Sequence, residues 1–195
     1  GFAYPMMKDA VTSVASFQDR RVWAPDNDPG ALKAYSSFNI TPIPLPIADV
    51  LTGLQTGLID SIGSPPIGAI ALQWHTQVDY ALELPLMYVY GLFAITERAF
   101  SRMDESEQAI VTEELSAAVA RVDAASRKDN EAANQALVDQ GLQWLQPSNA
   151  ERAEWYSIAD GANQRLKANE YVSEAMFDEL MALLQEYRSA QNANP

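Results

Sequence analysis

The chain has no cysteine and a single histidine, His75, among 195 residues. Without thiols there are no disulfides, no thiolate metal sites, no iron–sulfur clusters and no cysteine nucleophile. One histidine excludes a multi-histidine metal centre. Absence of cysteine does not fix the redox compartment, because such a chain folds equally well in oxidising and reducing surroundings. Positive charge is scarce: 13 Lys and Arg stand against 26 Asp and Glu, a formal charge of −13. A field of that sign repels phosphate backbones and anionic headgroups, which argues against nucleic acid and membrane surfaces as partners. Long apolar runs are missing too. The stretch from Ala81 to Ile95 is broken by Glu83, Pro85 and Gly91, well short of the roughly 18–20 residues of a membrane span. No signal peptide is present, and the start at Gly1-Phe2-Ala3 without an initiator Met suggests a processed or truncated product.

What remains is an ordinary globular composition, 48% hydrophobic and 20% charged, with enough chain for one domain or two small ones. Composition divides the chain. Residues 1–100 hold nearly all the prolines and most β-branched clusters, whereas 104–191 are rich in Ala, Glu, Gln and Leu. The first part reads as alternating strands and helices, which argues for an α/β fold with a parallel or mixed sheet flanked by helices. Strands are expected at 20–25, 40–45, 58–62 and over most of 78–95. Pro42 and Pro44 put the second of these at a sheet edge or a strand end. Asp28-Pro29 is a helix start, with Leu32, Tyr35 and Phe38 as its buried stripe. Ile47, Val50, Leu51, Leu54 and Leu58 lie on one helical face, closed by Gly57. Asp104 and Glu107 form a capping box that opens a long Ala-rich helix reaching about Gly141. Val111, Leu115, Ala118, Val122 and Ala125 recur along it at helical spacing. A short strand at 143–145, a second capping box at Ser148/Glu151 and a final amphipathic helix through Met176 to Tyr187 complete the chain.

No catalytic motif is present. Gly63-Ser64-Pro65-Pro66 is not a nucleophile elbow, and the glycines are too scattered for a phosphate loop. His75 could serve a cleft enzyme only beside a Ser and an Asp that nothing local supplies; a polar residue at a helix end is the simpler reading. The acidic residues Asp104, Glu105 and Glu107 complement a helix dipole rather than bind metal. The aromatics are more informative. Trp23 sits near the carboxyl end of a strand, where open α/β sheets bind ligands. Tyr88 and Tyr90 share one strand face by period-2 alternation.

Residues 40–75 carry a resemblance. Ile43-Pro44-Leu45-Pro46-Ile47 followed by Gly53-Leu54-Gln55-Thr56-Gly57-Leu58-Ile59-Asp60 resembles the DctP-type solute-binding proteins of TRAP transporters. Arg21-Val22-Trp23-Ala24-Pro25 is similar to the family's "K-x-R-x-P" strand, and Ala71-Leu72-Gln73-Trp74-His75 to a branch with a Q-W-H segment. The resemblance implies a periplasmic, non-enzymatic receptor. It would capture an organic solute between two α/β domains and hand it to membrane permease subunits, without cofactor or metal. On that reading residues 1–80 are the second, ligand-binding domain, 81–103 are crossing strands, and 104–195 are the long connecting helix and C-terminal helices, a remnant of the first domain. Two copies pairing through the long helix is a further expectation.

The family usually has an Arg, the clamp for the solute carboxylate, where this chain has Trp23, and a polar contact at Ser64. An indole cannot replace a guanidinium fork. Arg21 lies on the same strand face, about 7 Å back. The expectation is therefore a larger, apolar or amphipathic acid. The ligand-binding residues would be Trp23, Ile47, Ser64, Trp74, Tyr88 and Tyr90 on one concave surface, half of it exposed because the opposite domain is absent. A helix-mediated interaction module is the remaining alternative.

Overall fold

The computed structural model describes residues 1–168 and 172–192. It is mixed α/β. In chain order the elements are β1 (Phe2–Met7), α1 (Val14–Gln18), β2 (Trp23–Pro25), α2 (Pro29–Ser37), β3 (Ile43–Leu45), α3 (Val50–Thr56), β4 (Ser61–Ser64), α4 (Pro66–Ala71), β5 (Tyr80–Leu82), β6 (Met87–Tyr88), α5 (Glu97–Phe100), α6 (Glu105–Asp139), β7 (Gln143–Leu145), α7 (Asn149–Ala168) and α8 (Glu174–Asn192).

The main sheet runs β4-β1-β5-β7, with β6 also paired to β1. β1 is antiparallel to β4, β5 and β6, while β5 and β7 are parallel. β1 was not foreseen. It holds Pro5, and proline argues against a central strand. Along one edge of β1, Phe2 and Ala3 pair with β6 and Met6 and Met7 with β5. Pro5 falls in the gap between them, where no partner strand on that edge requires its missing N–H. β2 and β3 form a separate parallel pair, tied to β4 by a bridge between Val22 and Ser61. β3, with Pro44, is an edge, as its prolines require.

Helix starts follow the capping chemistry. Asp28 accepts the N–H of Ala31 at 2.9 Å ahead of Pro29. Asp104 and Glu107 close their capping box at 2.9 and 3.0 Å, and Gly57 takes the left-handed conformation (φ 75°) that ends α3. Other expectations are corrected. The helical face from Ile47 to Leu58 is buried only in its middle: Val50 and Leu54 are core, whereas Ile47 and Leu58 are exposed. Ile47 belongs to a 3-10 turn preceding α3, and Leu58 lies beyond the Gly57 cap, so neither shares the α3 stripe. Leu32 is likewise exposed. The expected strand over 78–95 is reduced to β5 and β6, because Pro85 and Gly91 interrupt the ladder.

Alternation along β1 sends Met6 and Met7 to opposite faces, and each anchors its own core. Met6 packs with Trp23, Leu54, Ile62, Trp74 and Leu137. Met7 packs with Phe17, Phe38, Leu82 and Trp155. The step from residue 80 to 81 lies inside β5, and β7 and α7 complete the same sheet and core as residues 1–82. α6 is anchored through Ala133 and Leu137 near its C-terminal end, whereas Val119 and Val122 stay exposed. Among the described residues no helix is long and apolar enough to cross a membrane.

Candidate functional site

The site is built where the carboxyl end of β4 meets the segment after β6. Chain turns at Pro65 bring α4 against α6, and residues 88–93 run alongside. Together they border a groove of about 700 Å³. Tyr88, Tyr90, Leu92 and Phe93 line one side; Leu115, Val119 and Val122 of α6 line the other. Tyr88 is 51% and Tyr90 72% exposed, and Tyr88 is held edge-on by Phe2 at 5.2 Å between ring centres. Among the described residues Arg127 is the side-chain cation lining the groove, paired with Asp123 at 3.0 Å one helical turn away.

The six residues expected on one surface are not brought together. Tyr88 and Tyr90 reach the groove. Trp23 and Trp74 do not: they are 6% and 4% exposed and meet edge-to-face at 5.2 Å. The Trp23 Nε1–H donates to the Leu45 carbonyl at 2.9 Å, so its one polar atom is already used. Trp23 is therefore a core residue rather than a cleft wall. The physical reason is that the β2–β3 pair rests on α3 and α4, and the indole fills the space between those elements. Ser64 is 2% exposed and its Oγ donates to the Pro65 carbonyl at 2.9 Å; its neighbour Pro65, not Ser64, lines the groove. Ile47 is exposed but lies outside the groove lining.

Arg21 is engaged elsewhere. Its Nη2 lies 3.0 Å from the buried carboxylate of Asp60, which also accepts the Arg21 backbone N–H at 3.0 Å and the Ser61 hydroxyl at 2.9 Å. This cluster locks β2 against β4. His75 Nδ1 lies 3.1 Å from the Ala69 carbonyl, an arrangement that needs the proton on Nδ1 and ties the ring to α4. Among the described residues no group of three or more His, Cys, Asp or Glu could hold a metal ion.

Sequence reasoning missed the α6 wall of the groove and Arg127. The signal was present in the Val111/Leu115/Ala118/Val122 spacing. It marks an apolar face without saying which segment, here 88–93, runs beside it.

Residues 7–169 match the sequence model of DctP, described as bacterial extracellular solute-binding protein, family 7. No protein of curated function matches the chain. Among solved structures, a TRAP periplasmic solute-binding protein from Haemophilus influenzae RdAW with bound L-gulonate superposes at a TM-score of 0.84 and 15% identity, covering 93% of this chain and 60% of that one. One from Desulfovibrio salexigens with bound orotic acid gives 0.75 at 16% identity, over 95% and 59% of the two chains. A marine metagenome protein specific for aromatic acid ligands, in complex with metahydroxyphenylacetate, gives 0.73 at 16% identity, over 91% and 58%. At these identities the likeness establishes the fold. The chain spans less than two thirds of the length of each of these relatives.

Proposed function

The chain belongs to the bacterial extracellular solute-binding proteins of family 7, and from that premise we propose that it serves a TRAP-type secondary transporter as its periplasmic solute receptor. The family match over residues 7–169 carries the reading. A ligand that binds the closed form better than the open form shifts the population toward closure, and the permease subunits take the solute from there. The segments 83–103 and α6 are proposed as the connection to a second lobe.

The solute class is an organic acid with an apolar or aromatic body. Support comes from the relatives, whose bound L-gulonate, orotic acid and metahydroxyphenylacetate are acids. The aromatic rings of Tyr88, Tyr90 and Phe93 favour a ring or chain over a polyol. Arg21 lies outside the groove lining, whereas Arg127 is within it and would share its guanidinium between Asp123 and a solute carboxylate. Of the residues expected from sequence, Tyr88 and Tyr90 are proposed as direct contacts. Trp23, Trp74, Ser64 and Ile47 are proposed to act through the shape of the lobe.

Titration calorimetry against metahydroxyphenylacetate, orotate and L-gulonate tests this. Saturable binding without product, weakened about tenfold by Tyr90→Ala, is expected. Turnover, or affinity for all three acids unchanged in both Tyr90→Ala and Arg127→Ala, overturns it. Pairing of two copies through α6 would use the same Leu115, Val119 and Val122. Sedimentation at low and high protein concentration separates the two uses: a monomer whose state does not change with the acid favours the solute site.

A further inference from the structure

A different pocket, of about 270 Å³, lies between α2, α7 and the sheet strands β1 and β4. Phe38, Ile40, Leu86, Met87 and Trp155 wall it. The space exists because the facing positions of the two helices are small: Ala31 and Ala34 on α2, Ala159 and Ala162 on α7. Protein interiors are otherwise close-packed, with few voids larger than a water molecule. Apolar cavities of about 150 Å³ already accept benzene, so this one has room for one or two fused rings.

Its polar equipment is sparse and specific. Among the described residues no charged side chain lines it. The Trp155 N–H is spent on the Thr12 carbonyl at 2.8 Å, and the Tyr4 ring packs edge-on against Trp144. Asn163 is exposed, at the rim. The Tyr35 hydroxyl is what remains. It lies against β4, 3.5 Å from where a Cβ on Gly63 would stand, and hydrogen-bonds to no described residue. The hydroxyl faces a space that water can enter, and a carbonyl oxygen of a bound molecule would take the place of that water as its acceptor.

We propose that this pocket is a second small-molecule site, taking a neutral one- or two-ring aromatic compound whose carbonyl oxygen accepts the Tyr35 hydroxyl. Burial pushes the Tyr35 phenol up to about 12, so it is a donor at any physiological pH. A carboxylate would be buried there without a cation. The selectivity is thus opposite to that of the acid-binding groove, and the proposal stands whether or not the solute reading does.

The test uses three probes of similar size: acetophenone (neutral with an acceptor), ethylbenzene (neutral without one) and benzoate (charged). Binding is read from the methyl resonances of ¹³C-labelled methionine. Met87 reports the pocket, its Cε 3.6 Å from the Gly63 Cβ position, and Met176, exposed on α8, serves as the control. Acetophenone should shift Met87 saturably at one equivalent and leave Met176 unmoved. Tyr35→Phe should weaken acetophenone about five- to tenfold, the worth of one hydrogen bond, and leave ethylbenzene within about twofold. Benzoate should bind at least about tenfold more weakly than acetophenone. Gly63→Val, or Ala159→Leu should that variant fail to fold, should abolish binding of both neutral probes by filling the space. The proposal is overturned by the absence of a saturable Met87 shift, by acetophenone affinity unchanged in Tyr35→Phe, by benzoate binding as well as acetophenone, or by binding that survives the filling variant.

Discussion

Asp60 offers the sharpest test of how the lobe is held together. Its carboxylate is buried, 5% exposed, and accepts from the Arg21 N–H, the Ser61 hydroxyl and the Arg21 guanidinium at 3.0, 2.9 and 3.0 Å. The first two donors are neutral, and Ser61 has no exposure at all. The guanidinium belongs to a side chain that is 56% exposed. Asp60→Ala strands both neutral donors. At roughly 1–2 kcal/mol for each buried unpaired group, the loss should be about 3 kcal/mol. Asp60→Asn keeps an acceptor oxygen and loses only the charge, so about 1 kcal/mol is expected. Arg21→Ala opens the carboxylate to water on the side where the guanidinium lay, and an exposed ion-pair arm contributes about 1 kcal/mol or less. Urea unfolding followed by far-UV circular dichroism, with the slope unchanged between variants, measures all three. If Arg21→Ala costs as much as Asp60→Ala, the ion pair and not the pair of neutral donors holds β2 to β4. If Asp60→Ala costs less than about 1 kcal/mol, the cluster contributes little and the reasoning fails.

Trp23 and Tyr35 give two further expected outcomes. Trp23→Ala should lower stability by about 3–5 kcal/mol, the usual range for an emptied aromatic core site; a variant that keeps its urea midpoint but loses ligand would return Trp23 to the cleft wall. Tyr35 has a folded-state value of about 12 against an ordinary 10.0. The unfolded chain therefore releases this proton first as pH rises. The stabilisation is complete below pH 10 and is lost progressively as pH climbs through 12, so Tyr35→Phe should flatten the decline in stability over that interval.

Local chemistry in the sequence determined a good deal. Caps depend on residues within a turn of one another, so Asp28-Pro29, Gly57, Asp104/Glu107 and Ser148/Glu151 were legible and mark real helix ends. The length of α6 followed from its Ala-, Glu- and Gln-rich composition, and the short strand expected at 143–145 is β7. The mixed α/β class came from the alternation of elements, and the edge position of β3 from Pro42 and Pro44. The family came from the run at Gly53–Asp60 and its flanks.

Tertiary structure decided the rest, because burial and partnership are properties of what lies opposite. β1 is central only because β4, β5 and β6 converge on it and leave a gap at Pro5. Trp23 looks the same in sequence whether it walls a cleft or fills a core; the approach of Trp74 and the Leu45 carbonyl made it core. Arg21 could have faced a solute, but Asp60, 39 residues away, took its guanidinium. The groove needed residues 88–93 and α6 side by side, and the Tyr35 pocket needed two alanine-faced helices laid over one sheet. Sequence spacing fixes which residues share a face. It cannot say what that face meets, since the meeting is set by segments far apart in the chain, 39 residues for Asp60 with Arg21 and 143 for Trp155 with Thr12.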